Sequence, residues 1–303
     1  MSARVLAAAL ALASCTAQSS AHDADSVRLA QEAWATACED WADWDKPGPP
    51  YAIGERTYYV GTCGISAILV TGDQGHVLID SGTEAGAETV ARNIQALGFD
   101  LDDVEILLMS HEHFDHVGGM ARLQQLTGAR LLTSAAAAPV MRSGRASDED
   151  PQAGMHEPFA VARVDGIVDD GEAVRLGDIA ITAIATPGHT PGAMSWTWSE
   201  TIGGDGDSAP FSVVYADSLS PISSDAYRFG DHPEYVRRFR EGIGRIARHG
   251  PCLLLTPHPS ASEMRARITG RGMLAADADA CRNYASGIEV RLDERLAEEA
   301  ESE

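Results

Sequence analysis

Ser110-His111-Glu112-His113-Phe114-Asp115-His116 places three histidines and an aspartate within six residues. Immediately before it, Val104 to Met109 is apolar but for one acid and reads as a buried strand. Neutral imidazole and carboxylate are the ligands a borderline-soft ion such as Zn²⁺ takes, at roughly 2.0–2.2 Å. A loop after the strand can turn His111 and His113 to one ion and Asp115 and His116 to a second. A polar loop with accidental histidines is the bland alternative, and a single histidine would leave it standing. This density does not.

Two more histidines have the same setting. Thr186-Pro187-Gly188-His189-Thr190-Pro191-Gly192 follows an expected strand at 179–185, and Thr256-Pro257-His258-Pro259 follows one at 253–255. At the carboxyl end of a strand, turn residues let a side chain project from a rigid platform. The ligands then divide into His111, His113 and His189 for one ion, and Asp115, His116 and His258 for the other. Three protein ligands per ion leave a position for water, as metal-assisted hydrolysis requires. Asp115 and His189 are the positions assigned catalytic roles.

Around these loops the chain reads as alternating strands and single helices, hence an α/β protein in layers. Short β-rich runs are expected at 57–60, 66–71 and 76–80, with Gly72-Asp73-Gln74-Gly75 as a hairpin turn between the last two. Val90, Ile94 and Leu97 recur at helical spacing before Gly98, and further helices are expected at 120–126, 135–141 and 235–248. The chain ends in an amphipathic helix with Ile288, Leu292 and Leu296 on one face. Residues 142–157 form a polar stretch with little pattern, read as a flap or surface loop.

The amino terminus reads as an export segment. Arg4 is followed by an apolar run from Val5 to Ala13, too short for the roughly 20 residues of a membrane-spanning helix. Leu12-Ala13-Ser14-Cys15 resembles a lipobox, which would place a lipid anchor on Cys15; a cut after Ala21 is the competing site. The expected organisation is a processed segment at 1–21, a polar arm at 22–50 bearing Trp34, Trp41 and Trp44, and one domain at 51–303. The destination is the periplasm. There Cys38, Cys63, Cys252 and Cys281 remain for two disulfides, and the short-loop pairing is Cys38–Cys63 with Cys252–Cys281. A formal charge of -22 excludes nucleic acid as a partner, because phosphate binding needs concentrated Lys and Arg.

His-x-His-x-Asp-His, with the later Gly188-His189 and His258, resembles the metallo-β-lactamase superfamily. Tyr215-Ala216-Asp217-Ser218-Leu219-Ser220 and the Thr256-Pro257-His258-Pro259 site are similar to subclass B3 metallo-β-lactamases, and the similarity runs from about Cys38 to the final helix. The resemblance implies a four-layer αβ/βα sandwich: two central mixed sheets flanked by helices, with two Zn²⁺ ions at one edge. It supports both disulfide pairings. It implies a monomeric β-lactam hydrolase with carbapenems among its substrates, in which metal-bound hydroxide attacks the lactam carbonyl, oriented by Asp115.

For the substrate carboxylate the resemblance points to Ser218 and Ser220, since the only lysine, Lys46, leaves no lysine clamp. Gln152 and His156, in the irregular segment, could line the pocket, with structural or surface roles the favoured reading; His22, His76, His232 and His249 are read as surface histidines. An aspartate near position 217 bridges the two metals in lactonases and thioesterases of the superfamily. The Ser-Leu-Ser that follows Asp217 favours a loop-supporting role instead. Three rivals are a serine β-lactamase, an exported lactone or thioester hydrolase, and a non-catalytic exported zinc-binding protein. The first is excluded, because Ser-x-x-Lys needs a serine three residues before Lys46 and Asp43 stands there.

Overall fold

The computed structural model describes residues 24–201 and 209–302, and the segment expected to direct export, with Cys15 and His22, lies outside them. The arm begins with a helix, α1 (Ala24–Ala37), which the polar composition of 22–50 concealed. Its inner face is carried by Val27, Gln31, Trp34 and Ala35. Gln31 is buried because its amide donates to the Ala52 carbonyl (3.0 Å) and accepts from the Leu274 amide (2.7 Å). Trp34 is buried in the core, whereas Trp41 and Trp44 are exposed.

The first sheet runs in chain order through β1 (Tyr51–Ala52), β2 (Thr57–Tyr59), β3 (Ile68–Gly72), β4 (Gly75–Ile79), β5 (Val104–Leu108), β6 (Arg130–Thr133) and β7 (Val164–Ile167). Pairing is antiparallel as far as β4 and parallel from β4 to β7. The parallel half needs crossovers, which α2 (Gly86–Ala96), α3 (Phe114–Val117), α4 (Met120–Thr127) and α5 (Ala138–Ser143) supply. The second sheet holds β8 (Ala173–Leu176), β9 (Ile179–Ala185), β10 (Met194–Glu200), β11 (Phe211–Tyr215) and β12 (Cys252–Leu255), with β12 parallel to β11. On its outer face lie α6 (Pro233–Ala247) and α8 (Ala280–Glu301), while α7 (Met264–Arg271) packs with α1 at the border of the core between the sheets.

The layering follows from side-chain alternation. Val77 and Ile79 face the second sheet in a cluster with Ile181, Trp196, Val213 and Leu255, while Leu78 faces outward with Val90, Ile94 and Leu123. On the far side Val214 and Leu254 meet Phe239, Ile243, Ile288 and Leu292 from the outer helices. Strands buried on both faces read as unbroken apolar runs, which is why β4, β5 and β12 were legible. The result is the expected sandwich of two mixed sheets flanked by helices. His76, read as a surface residue, is instead buried on β4 with its ring 5.1 Å from that of Phe99.

Two disulfides fasten the periphery. Cys38–Cys63 ties the chain after α1 to the loop before β3, and Cys252–Cys281 ties β12 to the start of α8.

Candidate metal centre

The loops after β5, β9, β11 and β12 all open at one edge of the sandwich. Strand ends are the stiffest place from which to aim a ligand, and the sequence there is built to turn. A Cβ on Gly192 would lie 2.6 Å from Ala137 and 2.7 Å from Glu112 Oε1, so that position admits no side chain without displacement. Glu112, between two of the histidines, accepts from Thr190 Oγ1 (2.6 Å) and the Gly192 amide (2.8 Å). It pins the loop of His189 to the loop of His111.

The ligand atoms of His111, His113 and His189 all lie within 4.8 Å of one another, and all three residues are buried. The other ring nitrogens are engaged in ways that select the tautomer. His113 Nε2 donates to Asp150 Oδ2 (3.0 Å), leaving Nδ1 for a metal. His189 Nδ1 donates to the Ser220 carbonyl (2.9 Å), leaving Nε2. His111 Nδ1 lies 2.8 Å from Asp217 Oδ1 and 3.2 Å from Ser110 Oγ, while its Nε2 is buried with no partner. An orphaned lone pair at this depth is costly unless a Lewis acid meets it. Burial first, and neighbouring imidazoles second, hold His111 well below the ordinary histidine value, which keeps it in the neutral ligand form.

The second set is tighter. Asp115 Oδ2 lies 3.0 Å from His116 Nε2 and 3.3 Å from His258 Nε2, and the two Nε2 atoms are 3.3 Å apart. Donors at roughly 2.0–2.1 Å on a tetrahedral ion are separated by roughly 3.3–3.4 Å. The three atoms form one face of that tetrahedron. Asp115, His116 and His111 also meet the spacing of a shared cluster, so the two sets adjoin. Both donor sets fit Zn²⁺: nitrogen and carboxylate oxygen, with no thiolate.

Asp80 sits beneath this arrangement and carried no signal in the sequence beyond ending a strand. It takes a left-handed backbone (φ 64°), accepts from the Ser110 amide (2.6 Å), Ser110 Oγ (2.7 Å) and Tyr215 Oη (2.6 Å), and is fully buried below His116. A non-glycine residue in that region is strained and persists where the surroundings fix it. Asp80 therefore sets the exit of the histidine loop from β5.

The irregular segment at 142–157 closes over the first set. Asp150 grips His113, and Gln152, read as structural, is buried with Nε2 3.5 Å from His189 Nε2. His156 Nε2 donates to Gln152 Oε1 (3.2 Å), which directs the amide nitrogen toward the metal face. Ser218 Oγ is buried without a partner, and Ser220 Oγ lies 3.0 Å from His189 Nδ1. Trp44 packs against Phe114 (5.5 Å) and, with Trp41, flanks His258.

Residues 60–201 match the family model described as metallo-beta-lactamase superfamily. Among solved structures, the chain is similar to the MIM-2 metallo-beta-lactamase at 57% identity, over 89% of this chain and 98% of that one, with a TM-score of 0.84. The MIM-1 enzyme from Novosphingobium pentaromativorans follows at 46% identity with the same coverage and TM-score. A hydroxyacylglutathione hydrolase of Bradyrhizobium sp. (strain ORS 278) is 29% identical over 167 residues, 52% of each chain. The chain thus spans about half the length of the curated relatives it matches.

Proposed function

Because the chain belongs to the metallo-β-lactamase superfamily, we propose that it is a two-zinc β-lactam hydrolase, exported to the periplasm, whose substrates include carbapenems and whose action confers β-lactam resistance. The observation that carries this reading is the pair of adjoining donor sets, His111, His113 and His189 beside Asp115, His116 and His258. Bound zinc ions supply Lewis acidity toward a carbonyl and a water deprotonated near neutral pH. The chain's own residues do the rest.

Asp115 adjoins both sets, and the carboxylate oxygen that it does not give to the ion can accept a hydrogen bond from the attacking water, which orients its lone pair toward the lactam carbonyl. Gln152 presents amide N–H groups beside His189, where they can donate to the carbonyl oxygen as charge develops on it. Ser218 has a free hydroxyl for the substrate carboxylate. Ser220 is held to His189 and reaches the substrate only if that contact is shared. The aromatic edge of Trp44 and Phe114 excludes water from one side.

The match to hydroxyacylglutathione hydrolases favours a second reading, thioester hydrolysis. Against it, Asp217 stands behind His111 at Nδ1, and its Oδ2 accepts from the Leu219 amide (3.1 Å), a supporting position. Two assays separate the readings. A chromogenic cephalosporin and a carbapenem should turn over, chelator should abolish turnover, and added zinc should restore it. Turnover of acyl-glutathione with inert β-lactams would reverse the assignment. Gln152→Ala is expected to lower kcat by about tenfold to a hundredfold. Zinc content should stay unchanged; unaltered kcat would remove Gln152 from the reaction.

A further inference from the structure

Beside the turn that follows His258 lies a cavity of about 970 Å³, bounded by Trp41, Leu254, residues 260–263, α7 and α8. It shares no residue with the candidate metal ligands. Three arginines and three acids line it, so its formal charges balance, but they are unevenly paired. Arg271 is matched by Asp277 (2.6 Å) and Asp40 by Arg265 (3.3 Å), which leaves Arg267 and Arg291 against Glu263 alone. Arg267 Nη1 donates to the Leu254 carbonyl (2.7 Å), and its Nη2 is buried with no acceptor. Burial pulls the Arg267 guanidinium down to about 10.

Beside the polar Ser260, Ser262 and Asn283 the wall has apolar members and a bare position. Trp41 (70% exposed), Leu254 and Tyr284 line it, and Gly287 sits in the middle of the 22-residue α8. Glycine there weakens a helix by about 1 kcal/mol relative to alanine. No crowding demands it, since a Cβ on Gly287 would meet nothing within 4 Å. What glycine does at this site is leave the cavity open. Tyr284 Oη meets the carbonyls of Asp217 (2.9 Å) and Ser218 (2.8 Å), so the cavity sits directly behind the loop that lies against His111.

We propose that this cavity is a second binding site, for an organic monoanion that joins a carboxylate to an apolar or aromatic body. The carboxylate would pair with Arg267 and Arg291, for which a planar fork is the natural partner. The body would lie against Trp41, Leu254 and Tyr284 beside Gly287.

The test titrates zinc-loaded protein with 2-naphthoate and with its neutral isostere 2-naphthamide, followed by tryptophan fluorescence. Saturable binding of the acid is expected with a dissociation constant on the order of 0.1–1 mM. The amide should bind at least tenfold more weakly. Gly287→Leu, which fills the cavity and favours the helix, should abolish binding while β-lactam turnover stays within twofold. Arg291→Gln, on the helix surface, should weaken binding about fivefold to tenfold. Equal binding of acid and amide would overturn the proposal. So would binding that survives Gly287→Leu and is displaced by a β-lactam, since the ligand would then sit at the metal centre. Absence of saturable binding would also overturn it.

Discussion

Asp115→Ala is expected to lower β-lactam kcat/KM by about a thousandfold, roughly 4 kcal/mol of barrier at about 1.4 kcal/mol per tenfold. The expectation rests on where one oxygen sits. Asp115 Oδ2 is within 3.3 Å of both His116 Nε2 and His258 Nε2, and it is the single anionic donor in the two sets. Without it two neutral imidazoles remain to face a dication, too few to hold it in competition with water. Zinc content should fall from two ions toward one per chain, measured by elemental analysis after dialysis. The ordering of the attacking water is lost in the same step. Asp115→Asn keeps the shape but not the charge and should lose most of the same activity. Full occupancy together with turnover within tenfold of the parent would sink the assignment of Asp115.

Cys252→Ser with Cys281→Ser is expected to destabilise the fold by about 3–4 kcal/mol, the loop-entropy value for a bridge of this span. The two cysteines are 29 residues apart in sequence, and the bond fixes β12 against α8. β12 is the platform for Thr256-Pro257-His258, so the loss should reach the metal centre as well as the midpoint of unfolding. Denaturant titration would register the first effect and zinc content the second. An unchanged midpoint would show that packing of Ile288 and Leu292 against Leu254 already supplies the constraint.

The candidate ligands were legible because their chemistry is local: a histidine loop after an apolar run is readable without knowing what it touches. The strands β4, β5 and β12 were legible for the related reason that burial on both faces leaves nearly continuous apolar runs, and β9 and β11 for their β-branched apolar content. β10 was missed, since Met194–Glu200 alternates Ser, Thr and Trp and carries no run at all. The grips behind the ligands were illegible because they are non-local. Asp80 reaches Ser110 across 30 residues, Asp150 reaches His113 across 37, and Glu112 reaches Gly192 across 80. Each is an ordinary acid in the sequence and becomes informative only when burial removes water as its partner. Gln152 was misread for the same reason, the polar stretch around it being a surface loop by composition and a cap by position.

The closeness of His116 Nε2 and His258 Nε2 has a consequence for how the molecule comes into being. The two residues are 142 positions apart, and they belong to different sheets. Neither donor set is complete until both sheets have docked: His189 joins from the second sheet, as does His258. Four of the six donors, His111, His113, Asp115 and His116, lie on one loop, so an ion could meet a partial set early but the complete sets only after docking. By mass action an ion present at a thousand times its dissociation constant would add about 4 kcal/mol to the native state. Zinc scarcity would then do more than silence the reaction. It would enlarge the population of unfolded chains open to proteolysis, so that metal supply governs abundance as well as activity.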